Sequence, residues 1–73
     1  MKFYSYSNNN GNYTRAASLE NVCSVCIDPG IGSSETKYNV ILEYHNNKKE
    51  SFIRLTKEEA KKVYKEIIDL LNG

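Results

Sequence analysis

Leu55-Thr56-Lys57-Glu58-Glu59-Ala60-Lys61-Lys62-Val63-Tyr64-Lys65-Glu66-Ile67-Ile68-Asp69-Leu70-Leu71 decides the fold. Thr56 and Glu59 have capping-box spacing, in which each side chain accepts the other residue's free backbone N–H. Ala60, Val63, Tyr64, Ile67, Leu70 and Leu71 recur at intervals of three and four, one face of a 3.6-residue helix. Glu58, Lys62 and Glu66 run at i, i+4 along the wet side, where each pair adds about 0.2–0.5 kcal/mol. Leu55 and Ala60 suit a hydrophobic staple, and Gly73 a C-terminal cap. The spacing predicts a helix over about 57–71. A helix of that length is marginal alone in water, so its apolar stripe must close a core built by the rest of the chain.

Upstream the period changes from 3.6 to 2. Tyr38, Val40, Leu42 and Tyr44 share one face of a strand, with Asn39, Ile41 and Glu43 on the other. Asn46-Asn47-Lys48 marks a hairpin turn. A two-residue loop at either Asn46-Asn47 or Asn47-Lys48 puts Ser51, Ile53 and Leu55 on the inner face of the returning strand, and Phe52 and Arg54 outside. Further back, Leu19, Cys23, Val25 and Ile27 lie on one side of a strand, with Asn21 breaking the pattern, and Val22, Ser24 and Cys26 on the other. Asp28-Pro29-Gly30 stops it, and a Gly/Ser loop runs to Thr36. Asn10-Gly11, in the run Asn8–Asn12, is a hairpin signal between Phe3–Tyr6 and Tyr13–Ala16. The expected fold is therefore α+β: an antiparallel sheet of about four strands (about 2–7, 13–27, 37–45 and 49–55) with one C-terminal amphipathic helix packed on one face.

With 73 residues the expectation is one domain, 1–73. A chain of this size buries only about 60% of its unfolded surface and commonly gains stability from disulfides, a metal or self-association. Two cysteines are too few for a disulfide framework, so a homo-oligomer is expected. Ten basic residues against nine acidic ones give a net charge of +1, no footprint for wrapping duplex nucleic acid. No apolar run approaches the roughly 20 residues of a membrane span. Met1-Lys2-Phe3-Tyr4-Ser5 lacks the apolar stretch of a secretory signal, so a cytoplasmic location with reduced cysteines is expected.

Catalytic chemistry is hard to assemble. Cys23-Ser24-Val25-Cys26 is a C-x-x-C, but zinc wants four ligands and a redox pair wants its first Cys at a helix N-terminus. On a strand that spacing sends the sulfurs to opposite faces, with Cys23 buried and Cys26 half-exposed. A zinc site shared by two copies is the version compatible with two cysteines per chain. Gly30-Ile31-Gly32-Ser33-Ser34 matches neither a P-loop nor a dinucleotide-binding fingerprint. His45, on a hairpin, has no nucleophile beside it. The expectation is no enzyme and no cofactor. Lys48, Lys49 and Arg54 on the second hairpin, the helix lysines 57, 61, 62 and 65, and the tyrosines 4, 6, 13, 38 and 44 could serve single-stranded nucleic acid by stacking and phosphate contact. Acidic residues offset that charge almost one for one, and tyrosine is also an ordinary strand former.

The outer sheet face is the most informative feature. A one-helix, one-sheet domain should show a polar second face. Val22, Cys26, Ile41 and Phe52 are instead expected there, unless the N-terminal strand or the Ser33–Thr36 loop folds over them. An apolar patch in that position marks an interaction site. These four are the candidate contact residues, with Arg54 beside them for an anionic group.

The run Tyr38–Tyr44, the turn, Ile53–Ala60, Tyr64 and Ile67-Ile68 resembles the C-terminal half of small uncharacterised proteins of phages and low-GC Gram-positive bacteria. The strands-then-helix order is also similar to the single-stranded-DNA-binding transcriptional coactivators, in architecture alone. These resemblances and the residue pattern lead to one expectation: a small non-enzymatic binding module, self-associating, acting stoichiometrically on a host protein or a small anionic ligand. The alternative is a single-stranded nucleic-acid-binding protein, and the third reading a metal or redox protein through Cys23 and Cys26.

Overall fold

The computed structural model describes residues 2–7 and 13–73, so the expected Asn10-Gly11 turn lies outside the described residues. Five strands precede one helix: β1 (Phe3–Ser7), β2 (Thr14–Ser18), β3 (Val22–Asp28), β4 (Tyr38–Tyr44), β5 (Lys49–Leu55) and α1 (Lys57–Asn72). The class is α+β, as expected. The strands, however, form two antiparallel sheets, a β1-β2 pair and a three-stranded sheet ordered β3-β4-β5. The expected strand 13–27 is divided at Asn21, whose φ of 65° is a left-handed turn conformation that Asn tolerates better than most residues. The residue that broke the alternation is the one at which the chain leaves one sheet for the other.

The helix is built as its sequence predicts. Thr56 Oγ1 accepts from the Glu59 N–H at 3.1 Å, and Glu59 Oε1 accepts from the Thr56 N–H at 2.8 Å. Both halves of the staple, Leu55 and Ala60, are buried. The Gly73 N–H closes the other end on the Asp69 carbonyl at 2.9 Å. Ala60, Val63 and Ile67 face the core and Leu71 flanks it, whereas Leu70 is 42% exposed.

The face assignments of β3 and β5 differ from expectation, and each difference has a backbone cause. The β4–β5 loop has three residues rather than two: Tyr44 N–H donates to the Lys48 carbonyl, Asn47 N–H donates to the Tyr44 carbonyl, and Asn47 sits at φ 68°. One extra loop residue shifts the register by one and exchanges the two faces of the returning strand. Val40 accordingly pairs with Phe52, and Leu42 with Glu50. Phe52, expected outside, is fully buried, and Ile53, expected inside, is 40% exposed. A bulge at Ile53 and Arg54, with Arg54 at φ 59°, adds a second shift that returns Leu55 to the core opposite Tyr38. In β3 a register shift between Val22 and Ser24 makes Cys23 the extra residue. Val22, expected outside, therefore packs against the core with Val25 and Ile27.

The inner face of β3-β4-β5 carries two covers. α1 lies across the sheet, reaching all three strands. The β1-β2 hairpin packs beside it through Tyr4 and Ala17, which join Val40, Leu42, Phe52, Leu55, Val63 and Ile67 in one buried cluster. Full burial of a Val, Leu, Ile or Phe side chain stabilises by about 1.5–3 kcal/mol. The N-terminal strand thus does fold over the sheet, but on the side the helix already occupies.

Candidate binding face

The opposite face of the three-stranded sheet follows from the register. One cross-strand row is Ser24, Glu43 and Lys49; the next is Cys26, Ile41 and Ser51; the third begins with Asp28 and Asn39 and ends at the β5 bulge. None of these residues is buried, and no described element packs over them. The centre of the face is the Cys26–Ile41 pair. Ile53 and Arg54 lie exposed at its β5 margin, where the Ile53 N–H donates to Tyr13 Oη at 3.1 Å.

Of the five predicted contact residues, the structure brings together Cys26 and Ile41 and sets Arg54 at the bulge nearby. Val22 and Phe52 are removed from the candidate face, since both turn toward the core. What remains is a small apolar centre in polar surroundings rather than a broad apolar patch. Ile53 is the exposed apolar residue that the periodicity missed. Cys23 was expected in the core and is exposed, like Cys26, and both are free thiols. The bulge that turns Val22 inward sets Cys23 opposite Glu43 beside Ser24, away from the core. Nothing in the spacing of Val22-Cys23-Ser24 signals that extra residue. The turn at Asn21 did leave a signal, an Asn out of phase with its neighbours.

Tyr4, Tyr6, Tyr13 and Tyr44 are hydrogen-bonded within the fold. Tyr4 Oη donates to Glu66 at 2.5 Å and Tyr6 Oη donates to Glu59 at 2.9 Å, which ties the hairpin to the outer flank of α1. Tyr44 Oη donates to the Ser18 carbonyl, and Tyr13 Oη accepts from β5. Lys37 Nζ lies 5.7 Å from the centre of the Tyr38 ring. Burial raises the Tyr6 hydroxyl to about 12, aided by its hydrogen bond to the Glu59 carboxylate. Tyr4 is raised further by burial and by Glu66, and Tyr44 is raised by burial and the charge of Glu50, with Arg15 opposing. The backbone hydrogen bond from Thr56 holds Glu59 below the usual carboxylate range, with further help from Tyr6.

Two open clefts lie elsewhere. One of about 400 Å³ runs between the Ser34–Tyr38 segment and the first turn of α1, and one of about 280 Å³ lies between the Ser18–Asn21 turn and the β4–β5 hairpin. The first is lined by both Glu35 and Glu58 as well as Lys37 and Lys57, so it favours neither sign of ligand. Neither contains a predicted contact residue. Among the described residues no three His, Cys, Asp or Glu side chains gather as they would around a metal ion. Among them, too, no helix is long and apolar enough to cross a membrane. No protein family, curated protein or solved structure matches the chain.

Proposed function

We propose that this chain is a small non-enzymatic binding module that self-associates and acts stoichiometrically, engaging a host protein or a small anionic ligand on the outer face of the β3-β4-β5 sheet. The observation that carries the reading is the one-sided covering of that sheet. Helix and hairpin both pack on the inner face, and Ile41 and Cys26 stand at the centre of the other with no described element over them. An uncovered sheet face with an apolar centre and a charged margin is suited to association rather than chemistry. Arg54 supplies a guanidinium fork at the margin, suited to a carboxylate or phosphate group. Its role is the stoichiometric one that small phage-encoded accessory proteins fill.

The test is sedimentation velocity over a wide concentration range in reducing buffer, on wild type and on Cys26→Glu, a substitution at the centre of that face. The expected result is a concentration-dependent dimer that the variant weakens by at least tenfold. A strict monomer at every concentration, for both proteins, removes the self-association reading.

A further inference from the structure

We infer that the free edge of β3 pairs antiparallel with the same edge of a second copy of the chain, with Cys26 on the two-fold axis. This rests on the self-association proposed above and gives it a location. β3 ends the strand order β3-β4-β5, and no described strand pairs with its other side. Unpaired edges are usually blunted by lysine, proline or charge. Val22-Cys23-Ser24-Val25-Cys26-Ile27-Asp28 holds no lysine, arginine or proline, and its one charge is the last residue. The bulge at Cys23 limits the regular ladder on one side, and Pro29, which has no N–H, limits it on the other. Between them Ser24–Asp28 is left as a straight run of five residues.

That run is complementary to itself in one register. Residues opposite each other in an antiparallel pair lie on the same face. Centring the pair on Cys26 sets Val25 opposite Ile27 of the second copy, both on the core side, and Ser24 opposite its Asp28, both outside. Centring on Val25 would bring the bulge into the ladder, and centring on Ile27 would bring in Pro29. Val25 and Ile27 are only half-buried although both pack on the core cluster. A second copy paired on this edge would cover more of both. The product is one continuous six-stranded sheet whose outer face holds two copies of Ile41, Ile53 and Arg54.

The same register gives Cys26 a chemistry. Directly opposed residues of an antiparallel pair have Cα atoms about 4.5–5.5 Å apart, inside the range of a disulfide. Cys23 and Cys26 of one chain are three strand residues apart, roughly 10 Å if extended, which is beyond it. Oxidation of this edge is therefore intermolecular. With glutathione disulfide as oxidant, the Cys26 thiolate of one copy attacks a glutathione sulfur, breaking its S–S bond and releasing one glutathione thiolate. Cys26 of the second copy then attacks the protein sulfur of the mixed disulfide and releases the second glutathione. Two protein thiols give up two protons and two electrons, and one glutathione disulfide becomes two thiols.

The experiment compares wild type, Cys23→Ser and Cys26→Ser in a glutathione redox buffer, read by intact mass and non-reducing electrophoresis, beside sedimentation of each in reductant. Both cysteines are exposed, so the serine variants keep the core intact. Wild type and Cys23→Ser should form a covalent dimer at least tenfold faster than Cys26→Ser. Cross-linking of Cys26→Ser at the same rate, or Cys23→Ser found only as a monomeric glutathione adduct, overturns the inference. A dimer in reductant together with that failure leaves the self-association reading standing with its interface elsewhere. A monomer in reductant with no cross-link ends both.

Discussion

The ring of Tyr4 meets the ring of Phe52 edge to face, with centroids 5.5 Å apart and an interplanar angle of 71°. This contact joins the two sheets, since Tyr4 belongs to the β1-β2 pair and Phe52 to β5. Aromatic pairs of this geometry add about 0.5–1.5 kcal/mol beyond the area they bury. Phe52→Ala removes both the ring contact and the largest fully buried side chain, for an expected loss of about 3–5 kcal/mol. Tyr4→Phe keeps the ring and loses the Glu66 hydrogen bond, for an expected loss of about 1–3 kcal/mol. Urea unfolding followed by far-UV circular dichroism measures both. A Phe52→Ala loss below that of Tyr4→Phe would contradict the placement of Phe52 at the centre of the core.

The burial of Phe52 also shows where sequence reading runs out. The helix, its cap and the faces of β4 are legible because each rests on a local pattern: Thr56 with Glu59, a 3–4 repeat, an alternation from Tyr38 to Tyr44 broken only by Ile41. The faces of β5 rest on counting loop residues, and Asn46-Asn47-Lys48 reads equally well as a two-residue or a three-residue turn. Once the count is wrong by one, Phe52 and Ile53 exchange sides. Cys26 and Ile41 lie on the outer face, as their alternation predicts, because the regular β3–β4 ladder holds them in register beyond the β3 bulge. A sharper test of the register is deletion of Asn46. It leaves a two-residue loop that drives Phe52 out of the core, and the expected result is loss of cooperative unfolding altogether. Asn47→Gly keeps the three-residue loop and relieves φ 68°, so it should unfold at equal or higher urea concentration.

Arg54 sits at φ 59°, a conformation that costs an ordinary residue about 1–2 kcal/mol. Arg54→Gly should therefore stabilise the protein by about 1 kcal/mol while removing the one guanidinium at the margin of the outer face. Arg54→Val should destabilise it by more than that, because a β-branched residue tolerates positive φ poorly. Unfolding midpoints, read beside binding of a small dianion such as phosphate, separate the two roles of the position. A stabilised Arg54→Gly that binds phosphate as well as wild type would remove Arg54 from the binding face.

Gly30 is constrained from two directions. Its φ is 69°, and a Cβ there would stand 2.2 Å from the Lys37 carbonyl oxygen, closer than any real contact. Gly32 has φ 100° but open space around it. Gly30→Ala should therefore cost about 1–3 kcal/mol and Gly32→Ala clearly less, since only the first adds a backbone clash to the strain. Equal losses in urea unfolding would mean that the Asp28–Lys37 turn is not closed as described.

The tyrosine hydroxyls that tie the hairpin to α1 predict the alkaline limit of stability. Burial and the Glu59 carboxylate raise Tyr6 to about 12, and Tyr4 is raised further by burial and Glu66, against about 10 in an unfolded chain. A raised folded value means that the protonated form is the one the fold favours. The stabilisation is complete below pH 10 and falls as pH climbs from about 10 to 12, where unfolded chains have ionised and folded Tyr6 has not. Glu59 runs the other way: its folded value is depressed, so its contribution is present above the ordinary carboxylate range and lost on acidification. Stability should thus hold a plateau through neutral pH with a fall on each side. Tyr6→Phe cannot ionise in either state, so its urea midpoint should decline less steeply between pH 10 and 12 than that of wild type. Tyr4→Phe should flatten the same limb, and the double variant should flatten it most. If Tyr6→Phe falls as steeply as wild type across that interval, the Tyr6–Glu59 bond is not what holds the hairpin against the helix at high pH.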